Sequence, residues 1–241
     1  MQVLFEDDDI IAINKPNGMF VHRTALDPLA TEFVIQIVRD MIGHWVYPVH
    51  RLDRKTSGVL ILAKNQEIQS ILNEYFRDRE VDKVYYAITR GYTDDEGSID
   101  YAIENDRGKV QEALTHYKTI ERAEINISSG KFPTSRYSLV EVKPETGRQH
   151  QIRKHLSHIF HPIVGDRPHG CNKQNRFFLE HFNMGSMMLH AASISFEHPI
   201  SKEITKVNAP IFGEFERMIN ELGFQSFSDG KILAELRSKY T

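Results

Sequence analysis

Apolar positions along the chain fall into three kinds of run, and each predicts a different element. "DIIAIN" is a short apolar strand stopped by a turn, where Pro16 fixes its own φ, pushes Lys15 out of the helical region and leaves Gly18 to close a type I turn. "GVLILA", at 58–63, is unbroken and suits a strand covered on both faces. Phe33, Val34, Ile37, Val38, Met41 and Ile42 recur at helical spacing and stop at Gly43, a C-cap residue. Ile68, Ile71, Leu72, Tyr75 and Phe76 form a second such face, and "TGRQHQIRKHLSH" also reads as helical. "APIFGEFERMINELG" predicts a helix with Pro210 near its start and Gly223 after its end. Strict alternation appears in "VDKVYYAITRG", placing Tyr85 and Tyr86 on opposite faces of a strand, and again in "RYSLVEVK". "SMMLHAASISFEHP" predicts a long strand, whereas residues 94–130 are polar and weakly periodic, an insertion or a hairpin region. Strands and helices mix irregularly, so the expected class is α+β, with a mixed, largely antiparallel central sheet and flanking helices.

Composition narrows the setting. A chain of 241 residues with 40% hydrophobic residues can bury one substantial core, and a single domain over 1–241, with room for two sublobes, is expected. The lone Cys171 can neither pair within the chain nor build a zinc site, which favours a reducing compartment and a buried inert thiol. The opening "MQVLFEDDDI" is acidic where a signal peptide is basic, and no apolar run approaches bilayer length, so a cytoplasmic protein with no membrane partner is expected. The net charge of −3 argues mildly against nucleic acid, but its distribution does not. Residues 143–176 carry seven Lys and Arg against Glu145 and Asp166, with five histidines besides, so one face can hold a polyanion while the rest repels it. A merely solvated charged face is the plain alternative.

Four stretches can carry chemistry. "HRLDRKTSG" sets Asp53 among Arg51, Arg54 and Lys55; nearby cations hold a carboxylate ionised, suiting it as a nucleophile or base, although an ordinary surface loop has the same composition. In "TGRQHQIRKH", a helix would put Arg148, Gln149, Ile152 and Arg153 on one face, with arginine forks suited to phosphate or carboxylate. His155, His158 and His161 drift off a helical face and no HExxH pattern occurs, so no metal site is expected. Tyr85 offers either a stacking surface or a core aromatic, and "NKPNGMFVH", ending in His22, reads alone as a rigid loop. "HPIVGD" and "LHA" are individually weak.

Taken in order, HRLDxxTSG, KxYxA, GRxHQIRxH, HPIxGD and LHA resemble the RluA-type family of pseudouridine synthases from about Lys15 to Pro199. The resemblance implies that Asp53 is the catalytic carboxylate, Tyr85 the active-site tyrosine and Arg153 the arginine that pairs with the Asp. Ile152 would pack near the base, and Arg51 would help extrude the target nucleotide, which has to leave its stack. Lys15, His22, Arg148 and Lys154 would contact RNA. "QVLFEDDDIIAINKPNGMFVHR", "VRDMIG" and "HFNMGSMMLHA" are similar to the subgroup that modifies uridine 65 in the acceptor stem of tRNA, with which the expected lack of an S4-like N-terminal domain agrees; a monomer with no protein partner is expected, and a ribosomal RNA uridine is the alternative within the family. Isomerising uridine gains and loses no atoms, so no cofactor is required. "DRPHG" departs from the family, many of whose members carry Tyr where His169 stands. Two other classes compete: a non-catalytic RNA-binding module, in which Asp53 is dispensable, and a hydrolase using Asp53 with a second acid such as Asp166.

Overall fold

The computed structural model describes residues 1–22 and 32–226. The architecture is α+β, with mostly antiparallel pairing and five helices among the described residues. They divide into two compact units, 1–83 with 191–210, and 84–190 with 211 onward.

In the first unit, β1 (Gln2–Glu6), β2 (Ile10–Lys15) and β4 (Ser57–Ala63) pair antiparallel, and β3 (Tyr47–Pro48) also joins β4. On the far side of β4 comes β11 (Leu189–Glu197), which pairs with β12 (Ile204–Asn208). Every residue of β2 and β4 is buried, as unbroken apolar runs require. Helix α1 (Val34–Ile42) ends where expected: Gly43 takes φ 68° and its N–H donates to the Arg39 carbonyl. In α2 (Gln66–Asp78) the Asn65 side chain caps the Ile68 N–H, and Ile68 and Leu72 join the core formed with Ile10, Val59, Ile61, Ile194 and Phe196.

The sheet of the second unit runs in the order β5 (Asp82–Arg90), β10 (Ser135–Pro144), β9 (Leu114–Ile125), β6 (Glu96–Asp100), so that β5 lies beside the last of these strands in sequence and not beside the next, with a small hairpin of β7 (Ile103–Glu104) and β8 (Val110–Gln111). Residues 94–130 are thus mostly hairpin, hard to read because both faces of β6 and β9 are partly wet. Helix α3 spans only Gln151–His158; the turn before it is not helical, so Arg148 and Gln149 do not share a helical face with Ile152 and Arg153. Helix α4 (Asn172–Phe182) has no counterpart in the pattern read above, and α5 (Glu214–Glu221) starts four residues after Pro210, behind Gly213 at φ 63°. Cys171 is half-buried beside α4, with the Arg90 guanidinium 3.8 Å from its sulfur, and so is not the buried thiol expected.

Gly58 is required by contact as well as conformation. At φ 109° a Cβ would lie 2.1 Å from the Ala191 carbonyl oxygen. Gly58→Ala is therefore expected to cost roughly 3 kcal/mol of unfolding free energy, measured in urea; a loss under 1 kcal/mol would show that β4 and β11 can part.

Candidate active site

The Asp53 loop is held from behind by the turn that opens the chain. Gly18 N–H donates to the Arg54 carbonyl at 2.9 Å, Arg54 Nε returns a bond to the Gly18 carbonyl at 2.9 Å, and the Asn17 amide donates to the Lys55 carbonyl. The Arg54 guanidinium lies 4.7 Å above the Phe20 ring. Within the loop, Thr56 N–H closes a turn onto the Asp53 carbonyl, and Thr56 and Ser57 are buried while Asp53 is half-buried. "NKPNG" is therefore a brace, a role its own sequence did not disclose.

His50, at the head of the loop, is structural. Its Nε2 accepts the Ile61 N–H at 3.0 Å and its ring stacks on Phe76 at 4.8 Å. Desolvation first, and Lys83 second, lower its pKa to about 3, so it stays a neutral acceptor.

Lys15 corrects an expectation. Its side chain is fully buried and its Nζ donates to the Pro16 and Arg54 carbonyls at 2.9 and 3.0 Å, which removes it from any phosphate. Burial lowers its pKa to about 7, and the field of Asp53 acts the other way. The cation set behind the carboxylate thus comes from 38 residues upstream, as well as from the motif that contains it. Arg51 and His22 are exposed.

The second unit holds Tyr85, Ile152 and Arg153. Tyr85 is half-buried on β5 while Tyr86 is buried, on the opposite faces that alternation predicts, and Ile152 is buried in α3. Arg153 makes a buried, two-pronged pair with Asp166: Nε to Oδ2 and Nη2 to Oδ1, both 2.7 Å. Asp166 is itself buried, and in the sequence only "HPIVGD" points to it. Its turn is fixed by Asn175 of α4, which donates to the Asp166 carbonyl at 2.7 Å and accepts the Gly165 N–H at 3.0 Å.

Gln151 fixes the start of α3. Its Oε1 accepts from Thr146 Oγ1 at 2.6 Å and Arg148 N–H at 3.0 Å, while its Nε2 donates to the Leu114 carbonyl and Thr115 Oγ1, each at 2.9 Å. All four hydrogen-bonding positions of the amide are filled. Arg148 Nε donates to the Glu112 carbonyl and Lys154 Nζ to the Glu104 carbonyl, so both cations anchor neighbouring loops.

Among the described residues, Asp7, Asp9 and His198 also cluster. His198 Nδ1 accepts the Ile200 and Ser201 N–H groups, so Nε2 carries the proton and donates to Asp7 at 2.9 Å, a structural tie. His155 Nε2 lies 2.9 Å from the Tyr101 carbonyl, His158 stacks on Tyr101 and His161 bonds the Arg90 carbonyl, so these three serve separate contacts.

An α+β chain with an aspartate on a braced loop and a buried Arg–Asp pair after it fits one class. The chain belongs to the RNA pseudouridylate synthase family, whose sequence pattern matches residues 9–158, and to its RluA type. Over 90% of its length it is 43% identical to the tRNA pseudouridine synthase C of Vibrio vulnificus, covering 96% of that protein. Over 93% of its length it is 41% identical to the tRNA pseudouridine synthase C of Pectobacterium carotovorum, of which it covers 63%. Among solved structures it is similar to human RNA pseudouridylate synthase domain containing 4, with a TM-score of 0.72, 25% identity and 92% of each chain covered.

Two outcomes test these contacts. Replacing Lys15 by Met removes a group that, between about pH 7 and its unfolded value of 10.5, is protonated only when unfolded. Wild type should therefore gain stability relative to the variant as pH rises through that window, by up to about 1.4 kcal/mol per pH unit, and the difference should be flat below it. Asp166→Ala should cost about 3–5 kcal/mol in denaturant melts by stranding a buried guanidinium, with part of the loss recovered when Arg153→Met is added.

Proposed function

We propose that this chain converts uridine to pseudouridine in tRNA, at uridine 65 of the acceptor stem, acting as a monomer in the cytoplasm. The observation that carries the reading is the presentation of Asp53: one carboxylate, on a loop braced by residues 16–18, with the buried amino group of Lys15 behind it. The relatives named tRNA pseudouridine synthase C support the choice of RNA.

Isomerisation breaks the N1–C1′ bond, turns the uracil while it is held, joins C5 to C1′, and then takes the proton from C5 while N1 gains one, so that no atoms are gained or lost. Asp53 starts it as an ionised carboxylate, by attack on the sugar or removal of the 2′ proton. Tyr85 stacks on the detached uracil and Arg153 keeps the part the resemblance gives it, with Ile152 packing near the base. Arg51 fills the space that the extruded nucleotide leaves, at a cost on the order of a few kcal/mol for unstacking. His22 and the cations of 143–176 other than Arg153 contact the stem, mostly by shape and phosphate. Asp166, the second acid a hydrolase would want, is committed to Arg153.

Asp53→Asn should bind tRNA within about threefold of wild type and form no pseudouridine, read by mapping the modified base in tRNA incubated with each protein. Pseudouridine formed at the wild-type rate, or release of free uracil, would overturn the assignment.

A further inference from the structure

Beside the Arg153–Asp166 pair, two histidines meet. His150 Nδ1 lies 2.9 Å from His169 Nε2, with ring centroids 5.1 Å apart at 69°. Neither takes part in the steps above.

Both imidazoles sit on levers. His150 is the residue before α3 and holds φ 55°, a left-handed conformation that costs a β-carbon residue on the order of 1 kcal/mol. Its carbonyl accepts the Lys154 N–H at 2.9 Å and so starts the helix that carries Arg153. His169 N–H donates to Asp166 Oδ1 at 3.3 Å, from the loop that carries Asp166. Gly170 lets that loop close, since a Cβ there would lie 2.0 Å from the Asp166 carbonyl oxygen. The imidazole contact therefore ties the first residue before α3 to the loop whose carboxylate grips Arg153.

An N–H···N bond between imidazoles needs one bare and one protonated nitrogen. It survives a first added proton, because an imidazolium can still donate to a neutral ring. A second added proton puts hydrogen on both facing nitrogens and positive charge on both rings, and the contact opens. The groups facing His169 are Asp166 on its own loop, which favours its proton, and Arg153 and Lys154 from α3 with His150 just before it, which oppose it; desolvation opposes it most and lowers its pKa. His169 also lines an open groove with Tyr101, Glu104 and His158, so solvent protons reach it.

We propose that His150 and His169 are positioning residues: their shared hydrogen bond keeps Asp166 and Arg153 in register, and turnover carries a proton dependence that a non-titrating side chain at 169 removes. The inference rests on the pseudouridine synthase reading for its kinetic arm only. The full chain, its histidines labelled with 15N, is titrated by NMR from about pH 5 to 8, and kcat and KM on tRNA are measured over the same range for wild type, His169→Tyr and His169→Phe.

In the expected result, His169→Tyr moves the His150 midpoint by about one pH unit, stays within about threefold of wild-type kcat at the alkaline end, and lacks the extra proton step on the acid side. His169→Phe, which keeps a ring and loses the bond, lowers kcat about tenfold at every pH with KM little changed. Superimposable pH profiles for wild type and His169→Tyr, or a His150 midpoint that ignores residue 169, would overturn the proposal. Coupled imidazole titrations in a protein that forms no pseudouridine would instead sink the functional reading and leave the pair standing.

Discussion

One buried lysine sets the terms for the first unit. Lys15 is fully enclosed, its pKa is drawn down to about 7, and it is tolerated because two carbonyls and the charge of Asp53 meet it. One of those carbonyls belongs to Arg54, so the same contact that satisfies the lysine fixes the backbone next to the aspartate. Remove the brace of residues 16–18 and the lysine loses its partners; remove the lysine and the loop loses its floor. Asp53 sits amid basic residues in the sequence, yet the lysine buried behind it comes from the end of β2.

The second unit solves a related problem with an arginine. A guanidinium with a buried carboxylate on two of its nitrogens is fixed in plane and direction, as a lysine could not be. The carboxylate is in turn fixed by an asparagine of α4 and by backbone from the 166–170 loop. This layering is what holds a charged side chain to one orientation, and it draws on segments that look unrelated when read in order.

Much of the framework was legible because its physics is local. The apolar runs of β2 and β4, the helical stripe of α1 with its glycine stop, and the alternation that parts Tyr85 from Tyr86 each depend on neighbours within a few residues. The Asp53 loop was legible as chemistry for the same reason. The burial of Lys15 was not, since lysine is ordinarily a surface residue and only a tertiary carbonyl pair reverses that expectation. Nor was the bond from Asp166 to Arg153, which spans 13 residues and a glycine turn. Helix α3 is shorter than its periodicity predicts, because periodicity does not register that Gln151 draws the preceding turn onto β9 and that His150 adopts a left-handed backbone. Helix α4 leaves no stripe in the sequence, because its buried face is limited to Gln174, Phe177 and Phe178.

The saturated amide of Gln151 has a bearing on the order in which the molecule assembles. Its four partners come from positions 114, 115, 146 and 148, so the network closes only after the long hairpin has found its register. A nascent chain with that hairpin unzipped has nowhere to seat the helix bearing Arg153. The arginine is thereby withheld until the scaffold that disciplines it exists, and a half-made protein does not offer it, ready aligned, to passing polyanions.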